Sequence, residues 1–481
     1  MSALSPEATN SHVSVQEASI TIPLAPDKRR ERVALLALIA LYLASAYGFA
    51  VVTPYGEAPD EFSHLAYIEH IVNFGKVPDI TPSSYTYESF EPPLYYLVAA
   101  FAVATGRTLT SKDLRAPLAP PVYVRPNRQP GIDLAVLLHP PEDRWPFTVY
   151  MLRFYSVLLG LGLIVLTYAT ARAIVPWPAP AIVPLSATAF AALIPQANFI
   201  RASISNENLA DLISAFVVWL LSLHLMRPHS DKRIFWIGVA FGLALVSKLS
   251  VLPLALPALW VLWVRRQRGR WAFLRDLTIV GALASLIGGW LYIYKWVVYG
   301  DPLALGAWYA MMPPDGVYSL ADLFWFQEPF REMLWNSFWG VYGWQQVFMP
   351  DWIYSAFIIA TLLAVTGGVY LVARRALSWG QRGSTFVLLL TVALLYAFIV
   401  QSSTYLVAWQ GREMYPALSS VCLLLGLGLG GLILGRGAVQ PVALSRWRAL
   451  LSDSSVVIVS VGLLALNLYA IIWVVLPALN P

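Results

Sequence analysis

Charged residues and cysteines are both scarce in this chain of 481 residues. Only 12% of the residues are charged, whereas an average soluble domain has about a quarter. Apolar residues make up 58%, which is more apolar surface than one water-soluble core can bury, so the chain needs lipid as solvent. The single cysteine, Cys422, lies in an apolar run. One cysteine excludes a disulfide framework and a cysteine metal site.

Internal repeats, low-complexity tracts and a glycine-rich nucleotide-binding loop are also missing from the sequence. The lack of repeats speaks against a transporter, for which inverted repeats and broken helices at the membrane midplane are typical. The net charge of +5 would suggest nucleic-acid binding in a soluble protein. Here the basic residues stand in short clusters between apolar runs, which is a topology signal. No nucleic-acid partner is expected.

The sequence contains many long apolar runs. About eleven of them can cross a membrane, which predicts an all-α polytopic membrane protein. The runs cover residues 33–52, 148–171, 179–200, 208–226, 234–247, 249–264, 274–298, 353–373, 384–401, 415–434 and 455–477. The fifth and sixth are short, and only Lys248 separates them; as one long helix they would reverse every later loop.

The chain divides into two parts on this interpretation. Residues 1–32 are polar and end in a basic cluster, and they are predicted to be a disordered cytoplasmic tail. Residues 33–481 form the transmembrane domain. A cleaved signal peptide is the alternative for the first run, since Ala44-Ser45-Ala46 resembles a cleavage site. Either interpretation places the next segment outside.

One further apolar run, from Pro93 to Thr105, is too short to cross comfortably. If it stays at the outer surface, every short basic cluster falls on the side of the N-terminal tail, as the positive-inside rule requires. We therefore predict a juxtamembrane or re-entrant helix there. This topology leaves two large outer loops, 53–147 and 299–352, and small ones near 201–207 and 402–414.

Acidic residues stand at the outer ends of these runs. Asp60 and Glu61 follow a proline and precede a helical apolar pattern, so they are candidate catalytic acids. Glu207 and Asp211 are one turn apart at the membrane edge, where acidic residues usually face a cavity. For all of these residues the alternative is helix capping.

Two cations stand at the same predicted surface. Arg412 is at an outer boundary where positive residues are disfavoured, and a lipid phosphate would explain it, because a guanidinium binds phosphate oxygens bidentately. Lys248 could serve the same purpose. The alternative for Arg412 is a pair with Glu413 or snorkelling towards lipid headgroups. Together the outer carboxylates and cations predict a site for an anionic lipid that carries a reactive group.

The order of these pieces resembles the GT-C superfamily of membrane glycosyltransferases, especially bacterial members related to the protein mannosyltransferase and lipid A aminoarabinose transferase families. The resemblance extends over nearly the whole chain from about residue 34. It rests on Pro59-Asp60-Glu61-Phe62-Ser63-His64 with Tyr67, Glu91-Pro92-Pro93-Leu94-Tyr95-Tyr96, Ser205-Asn206-Glu207-Asn208-Leu209-Ala210, Ser337-Phe338-Trp339-Gly340 with Gly343-Trp344, and Gln410-Gly411-Arg412 with Tyr415-Pro416.

The resemblance implies a GT-C-like fold with juxtamembrane helices in the first outer loop, and a polyprenyl-phosphate-linked sugar as donor. It implies that Asp60 is the catalytic base or a metal ligand. Glu207 takes the place of a second acid that is Asp in many relatives. A divalent cation, Mg²⁺ or Mn²⁺, is a candidate cofactor at Asp60 and Glu207. Candidates for the substrate pocket are His64, Tyr67, Gln410 and Trp344.

The sequence thus predicts a bacterial cell-envelope enzyme that moves a sugar from a polyprenyl-phosphate carrier to a glycan, lipid or protein acceptor. The reaction would take place on the outer face of the cytoplasmic membrane. Asp60, supported by Glu61, would accept the proton of the acceptor hydroxyl, and Arg412 with Lys248 would stabilise the departing phosphate. Three alternatives stay open: a polymerase or ligase of lipid-linked glycans, a membrane transporter, and a catalytically silent scaffold.

Overall fold

The structure is a computed structural model. It describes residues 28–110, 147–266, 269–313, 318–326, 328–405, 409–442 and 444–479. Most of the predicted tail, residues 1–27, therefore lies outside the described residues, and so does much of the first predicted outer loop. From Lys28 onward the chain is already helical, so the first helix begins within the residues predicted as a tail.

The described residues are mostly helical. The α-helices are α1 (Lys28–Val52), α2 (Glu61–Phe74), α3 (Leu94–Thr110), α4 (Phe147–Ile174), α5 (Ile182–Leu193), α6 (Pro195–Arg201), α7 (Glu207–Met226), α8 (Asp231–Leu245), α9 (Ala255–Val264), α10 (Arg270–Ala284), α11 (Trp290–Tyr299), α12 (Leu305–Met311), α13 (Glu328–Trp339), α14 (Asp351–Ala373), α15 (Trp379–Ser402), α16 (Leu418–Leu434), α17 (Arg446–Tyr469) and α18 (Leu476–Leu479).

Short 3₁₀ and π segments and one hairpin complete the described secondary structure. The 3₁₀ segments are Tyr87–Phe90, Leu249–Leu254, Gly411–Ala417 and Gly435–Ala438, and the π segments are Ser285–Gly289, Asp322–Phe326 and Ala470–Val475. Strands β1 (Val341–Tyr342) and β2 (Val347–Phe348) pair antiparallel, with Val341 opposite Phe348.

Eight helical stretches among the described residues are long and apolar enough to cross a membrane, or nine if α5 and α6 form one bent span. The predicted class, an all-α multi-pass membrane protein, is thereby confirmed. The bend between α5 and α6 measures 57° and falls where Pro195 begins α6; a proline has no N–H to donate and interrupts a helix at this point. The count of eleven spans stays a prediction, because α8 and α9 are short.

The short helices on either side of Lys248 run in opposite directions along α7. Nη2 of Arg265, which follows α9, donates to the carbonyl of Arg227 at the C-terminal end of α7, at 2.6 Å. Nζ of Lys248 donates to Glu207 at the N-terminal end of α7, at 3.1 Å. From Arg227 to Lys248 the chain runs from the C-terminal end of α7 to its N-terminal end, and from Lys248 to Arg265 it runs back. Two separate crossings require such a path.

The two ends of the helix bundle differ in charge. The end where α7 finishes carries arginines in the turns that connect the helices. At this end Nε2 of Gln381 donates to the carbonyls of Ile174 and Val439, at 3.0 Å each, and so links three segments of the chain. The opposite end carries Asp60 and Glu207. By the positive-inside rule the arginine-rich end is the cytoplasmic one; this orientation remains a prediction.

The described start of the first predicted outer loop, residues 53–110, lies at the end of the bundle that carries Asp60. Helices α2 and α3 pack together through buried Leu65, Ile68, Tyr95, Tyr96 and Val103, in a cluster that α4 also joins. Helix α3 corresponds to the short apolar run and is 17 residues long, below the length of the candidate spans. Its first N–H, on Leu94, donates to Val246 at 2.9 Å, so α3 starts beside Lys248.

Candidate active site

Asp60 stands immediately before α2 in a left-handed backbone conformation, with φ of 64° and ψ of 0°. Asp and Asn enter this region more readily than most residues do. Although Asp60 occupies the capping position of α2, its side chain makes no capping hydrogen bond to that helix, whose residues are all described. Helix capping therefore does not account for this carboxylate.

Both oxygens of the Asp60 carboxylate have partners from distant parts of the chain. The hydroxyl of Tyr87 donates to Oδ1 at 2.6 Å, and Nη2 of Arg412 donates to Oδ2. Burial alone would raise the pKa of Asp60, but the charge of Arg412 and the hydrogen bond from Tyr87 hold the pKa below its ordinary value. Asp60 is therefore an ionised carboxylate at neutral pH.

Arg412 and Lys248 lie among three carboxylates. Nη1 of Arg412 is 3.5 Å from Oε1 of Glu207. Nζ of Lys248 is 3.1 Å from the same Oε1 and 3.6 Å from Oε2 of Glu413. Asp60, Glu207, Lys248, Arg412 and Glu413 together are called the charge cluster below. It joins the loop before α2, the start of α7, the turn after α8 and the segment before α16.

The position of Arg412 depends on a close approach of backbone at Gly411. A Cβ atom added at Gly411 would lie 2.2 Å from the nitrogen of Phe338, so no larger residue fits without a shift. The N–H of Gly411 donates to Oγ of Ser337 at 2.7 Å. Gln410, predicted to line the substrate pocket, accepts from Nε of Arg412. Helix α13 thus fixes the arginine from one side and Gln410 from the other.

Glu61 lies apart from the charge cluster. Its Oε1 and Oε2 each accept a hydrogen bond from Arg153 at 2.8 Å. The same oxygens accept from the backbone of Ile204 and Gly56, at 3.1 and 2.9 Å, and Glu61 is fully buried. The catalytic role predicted for Glu61 stays a prediction: its carboxylate accepts hydrogen bonds from groups that tie α4 and the segment before α7 to the loop before α2.

The other predicted pocket residues lie on α2 or contact the loop before it. Nδ1 of His64 is 2.9 Å from the hydroxyl of Tyr96. Burial lowers the pKa of His64 to about 4, against the opposite effect of Asp60, so the ring is neutral at pH 7. Tyr67 stacks on Tyr96 with ring centroids 3.8 Å apart. Trp344 donates from Nε1 to the carbonyl of Gly56 at 2.9 Å. The roles of Tyr67 and Trp344 in a substrate pocket stay predictions.

Sequence reasoning missed Tyr87 and Glu88 as neighbours of the cluster. It also missed that Glu91 is a buried acid. Burial raises the pKa of Glu88 well above its ordinary value, and the charges of Asp60 and Glu91 add to this. Burial also raises the pKa of Glu91 to about 7, although Lys248 opposes it. No periodic pattern marks this stretch. Its only signal is its position just before the Glu91-Pro92-Pro93 segment.

Arg412 would compete with the predicted divalent cation for Asp60 and Glu207. The guanidinium of Arg412 contacts both carboxylates, so a metal ion shared by them would have to displace it. Among the described residues, the side chains of His229, Asp231 and Asp276 lie close enough together to hold a metal ion. It lies at the opposite end of the bundle, where Nη2 of Arg275 donates to both aspartates. The cation stays a prediction.

Comparison with known proteins places the chain in a family. A sequence model of the family described as "Predicted membrane protein (DUF2142)" matches residues 142–421, more than half of the chain. The chain belongs to this family. A search among curated proteins finds no match.

Solved structures give the fold. ArnT from Cupriavidus metallidurans in the apo state is 13% identical, and the match covers 92% of this chain and 73% of that one with a TM-score of 0.50. The same enzyme bound to undecaprenyl phosphate is 14% identical with the same coverage and a TM-score of 0.48. An oligosaccharyltransferase from Archaeoglobus fulgidus tethered to an acceptor peptide is 12% identical. That match covers 92% of this chain and 55% of the other, with a TM-score of 0.49. The GT-C fold expected from the sequence is confirmed.

Proposed function

We propose that this protein is a membrane glycosyltransferase that takes a sugar from a polyprenyl-phosphate carrier. The observation that carries the proposal is the charge cluster: an ionised Asp60 lies against Arg412, with Lys248 on the other side of Glu207. A base beside two cations is what transfer from a phosphate-linked sugar needs. The GT-C fold supports membrane glycosyl transfer in general.

The cluster lies at the ends of apolar helices, where the phosphate of a membrane lipid is expected. Glu207 begins the apolar helix α7, and Arg412 stands at the start of the span Gly411–Ala438. A carrier with its polyprenyl chain in the membrane presents its phosphate at such a boundary. Arg412 binds phosphate oxygens in pairs, and Lys248 adds a point charge.

The exposure of the charged groups indicates the side from which the acceptor arrives. The side chain of Arg412 is 4% exposed, whereas that of Asp60 is 22% exposed. Arg412 is therefore less accessible to solvent than Asp60. An acceptor hydroxyl entering from the aqueous side reaches Asp60 first, and the buried surroundings of Arg412 strengthen its attraction for the donor phosphate.

The reaction follows from these positions. Asp60 accepts the proton of the acceptor hydroxyl as that oxygen bonds to the anomeric carbon of the sugar. The bond between this carbon and the phosphate oxygen breaks, and the electron pair leaves with the polyprenyl phosphate. Arg412 and Lys248 stabilise the negative charge that grows on the departing phosphate. A single displacement of this kind inverts the configuration at the anomeric carbon.

An assay with defined polyprenyl-phosphate sugars tests the proposal. Purified protein is incubated with a set of labelled donors and with membrane and peptidoglycan extracts, and release of the carrier phosphate is followed. Arg412→Ala should weaken donor binding by about ten- to a hundred-fold, since a charge-assisted bond is lost. Arg412→Lys should restore it in part, because lysine lacks the planar fork.

The matched control is Arg331→Ala, which removes an exposed arginine from α13. It should leave donor binding unchanged. Equal donor affinity in wild type and Arg412→Ala would rule out Arg412 as the phosphate ligand. If the wild-type protein releases carrier phosphate from none of the donors, the result would contradict glycosyl transfer.

A further inference from the structure

The hydrogen bonds of Asp60 limit its strength as a base. Its Oδ1 accepts from the neutral hydroxyl of Tyr87, and its Oδ2 accepts from the positively charged Arg412. A charge-assisted bond of the second kind is roughly twice as strong as one between neutral groups. While Arg412 holds Oδ2, a proton from an acceptor hydroxyl has to compete with the guanidinium.

The guanidinium of Arg412 has its donors directed at protein groups. Nε donates to Gln410, Nη2 donates to Asp60, and Nη1 faces Glu207 at 3.5 Å. Nη1 is buried and has no hydrogen-bond partner among the described residues. A phosphate can bind a guanidinium bidentately end-on, at Nη1 and Nη2, or side-on, at Nε and Nη2. Both modes use Nη2, which donates to Asp60, so a bidentate phosphate competes with Asp60 for that nitrogen.

We propose that the donor phosphate displaces Asp60 from Arg412, so that donor binding itself frees Oδ2 of Asp60 to accept the acceptor proton. The inference rests on the proposed function. It makes Arg412 both the phosphate ligand and the group that restrains the base before the donor arrives. After transfer, departure of the polyprenyl phosphate returns Arg412 to Asp60.

Tyr87 keeps Asp60 in position during this exchange. Burial raises the pKa of Tyr87 well above its ordinary value, and the charge of Asp60 adds to this, so the hydroxyl stays protonated and continues to donate to Oδ1. A neutral hydroxyl has no charge with which to draw the phosphate. Tyr87 is therefore a positioning residue, which holds one oxygen of Asp60 while the other changes partners.

The exchange predicts that loss of the base tightens binding of the carrier. Purified wild-type protein, Asp60→Asn and Arg412→Ala are titrated with undecaprenyl phosphate in lipid nanodiscs. Asp60→Asn removes the competitor for Arg412, so affinity should rise about ten-fold, the scale of one charge-assisted bond. Arg412→Ala should lose about ten-fold or more. Tyr87→Phe should bind as wild type does, within about two-fold.

Asp79→Asn is the matched control. It removes one negative charge from the described part of the same predicted outer loop, but Asp79 pairs with the exposed Lys76 at 3.3 Å. Its effect should stay below about two-fold. Equal tightening in Asp60→Asn and Asp79→Asn would mean that loss of a negative charge alone explains both, and would overturn the exchange. So would unchanged or weaker binding in Asp60→Asn.

The outcomes separate this inference from the proposed function. If Arg412→Ala binds undecaprenyl phosphate as tightly as wild type, the phosphate site itself is wrong. If Arg412→Ala loses affinity and Asp60→Asn does not gain any, only the exchange is wrong. Asp60→Gly serves as a second variant should Asp60→Asn not fold, because glycine adopts the φ of 64° without strain. It should show the same ten-fold gain.

Discussion

Asp60 and Glu61 are neighbours in the sequence, yet their carboxylates lie in different surroundings. The left-handed conformation of Asp60 turns the chain just before α2, so the two side chains diverge. Asp60 meets Arg412, whereas Glu61 is directed into the protein towards Arg153. Asp60 is the acid proposed to react, whereas Glu61 holds three segments of the chain together.

The Glu61–Arg153 pair should be a large contributor to stability. Arg153 is 1% exposed and also donates to the carbonyls of Ala50 and Thr53. Glu61→Gln would leave a buried guanidinium without its counter-charge, at a cost of about 3–5 kcal/mol. We expect a marked drop in the thermal unfolding midpoint of the detergent-solubilised protein.

Asp79→Asn is the control for this change. Asp79 pairs with Lys76 at 3.3 Å, but both side chains are about 60% exposed, and such pairs contribute little. The unfolding midpoint should therefore hardly change. If Glu61→Gln unfolds at the same temperature as Asp79→Asn, the buried pair is not the structural tie described above.

Residue types at the site could be predicted from the sequence, but their pairing could not. Charges at the outer ends of apolar runs point to Asp60, Glu207, Lys248 and Arg412, because charged groups are costly in lipid. Arg153 stands inside a long apolar helix, where a charge signals a buried partner, but the sequence does not say which carboxylate that partner is. Its partner Glu61 is distant in sequence, and only the folded chain brings them together.

At the scale of elements, the junction between α13 and the 3₁₀ segment Gly411–Ala417 decides where Arg412 lies. Gly411→Ala would push a methyl group against the backbone of Phe338. The segment must move, and Arg412 moves with it. We expect donor affinity to fall about ten-fold or more, on the scale of losing the Arg412 contact.

Gly368→Ala is the matched control, because a Cβ atom at Gly368 meets no described atom within 4 Å. It should leave both donor affinity and the unfolding midpoint at wild-type values. Wild-type donor affinity in Gly411→Ala would show that the close approach of these backbones does not position Arg412.

The helices themselves are largely predictable, since apolar run length reports them directly. The short run at residues 93–105 appears as α3, and the turn at Lys248 separates α8 from the 3₁₀ segment and α9. The run predicted at residues 179–200 is instead broken at Pro195. A proline marks the break in the sequence, but the bend angle depends on packing and cannot be read from it.

At the scale of the whole molecule, the account requires the charge cluster to face away from the cytoplasm. Cysteine labelling tests this orientation after Cys422→Ser. Ser83→Cys is exposed near the cluster end, and a membrane-impermeant maleimide should label it in intact cells. Val442→Cys, which is 48% exposed at the arginine-rich end, should react only after permeabilisation. The reverse pattern would contradict the topology.

Glycosyl transfer with Asp60 as base is the central claim, and turnover of Asp60→Asn measures it most directly. Asparagine tolerates the left-handed conformation as aspartate does but cannot accept a proton, so we expect transfer to fall by about a hundred- to ten-thousand-fold. The variant should still insert and bind the carrier. A folded Asp60→Asn variant with near-normal transfer would mean that the acid is structural, and would contradict the proposed mechanism.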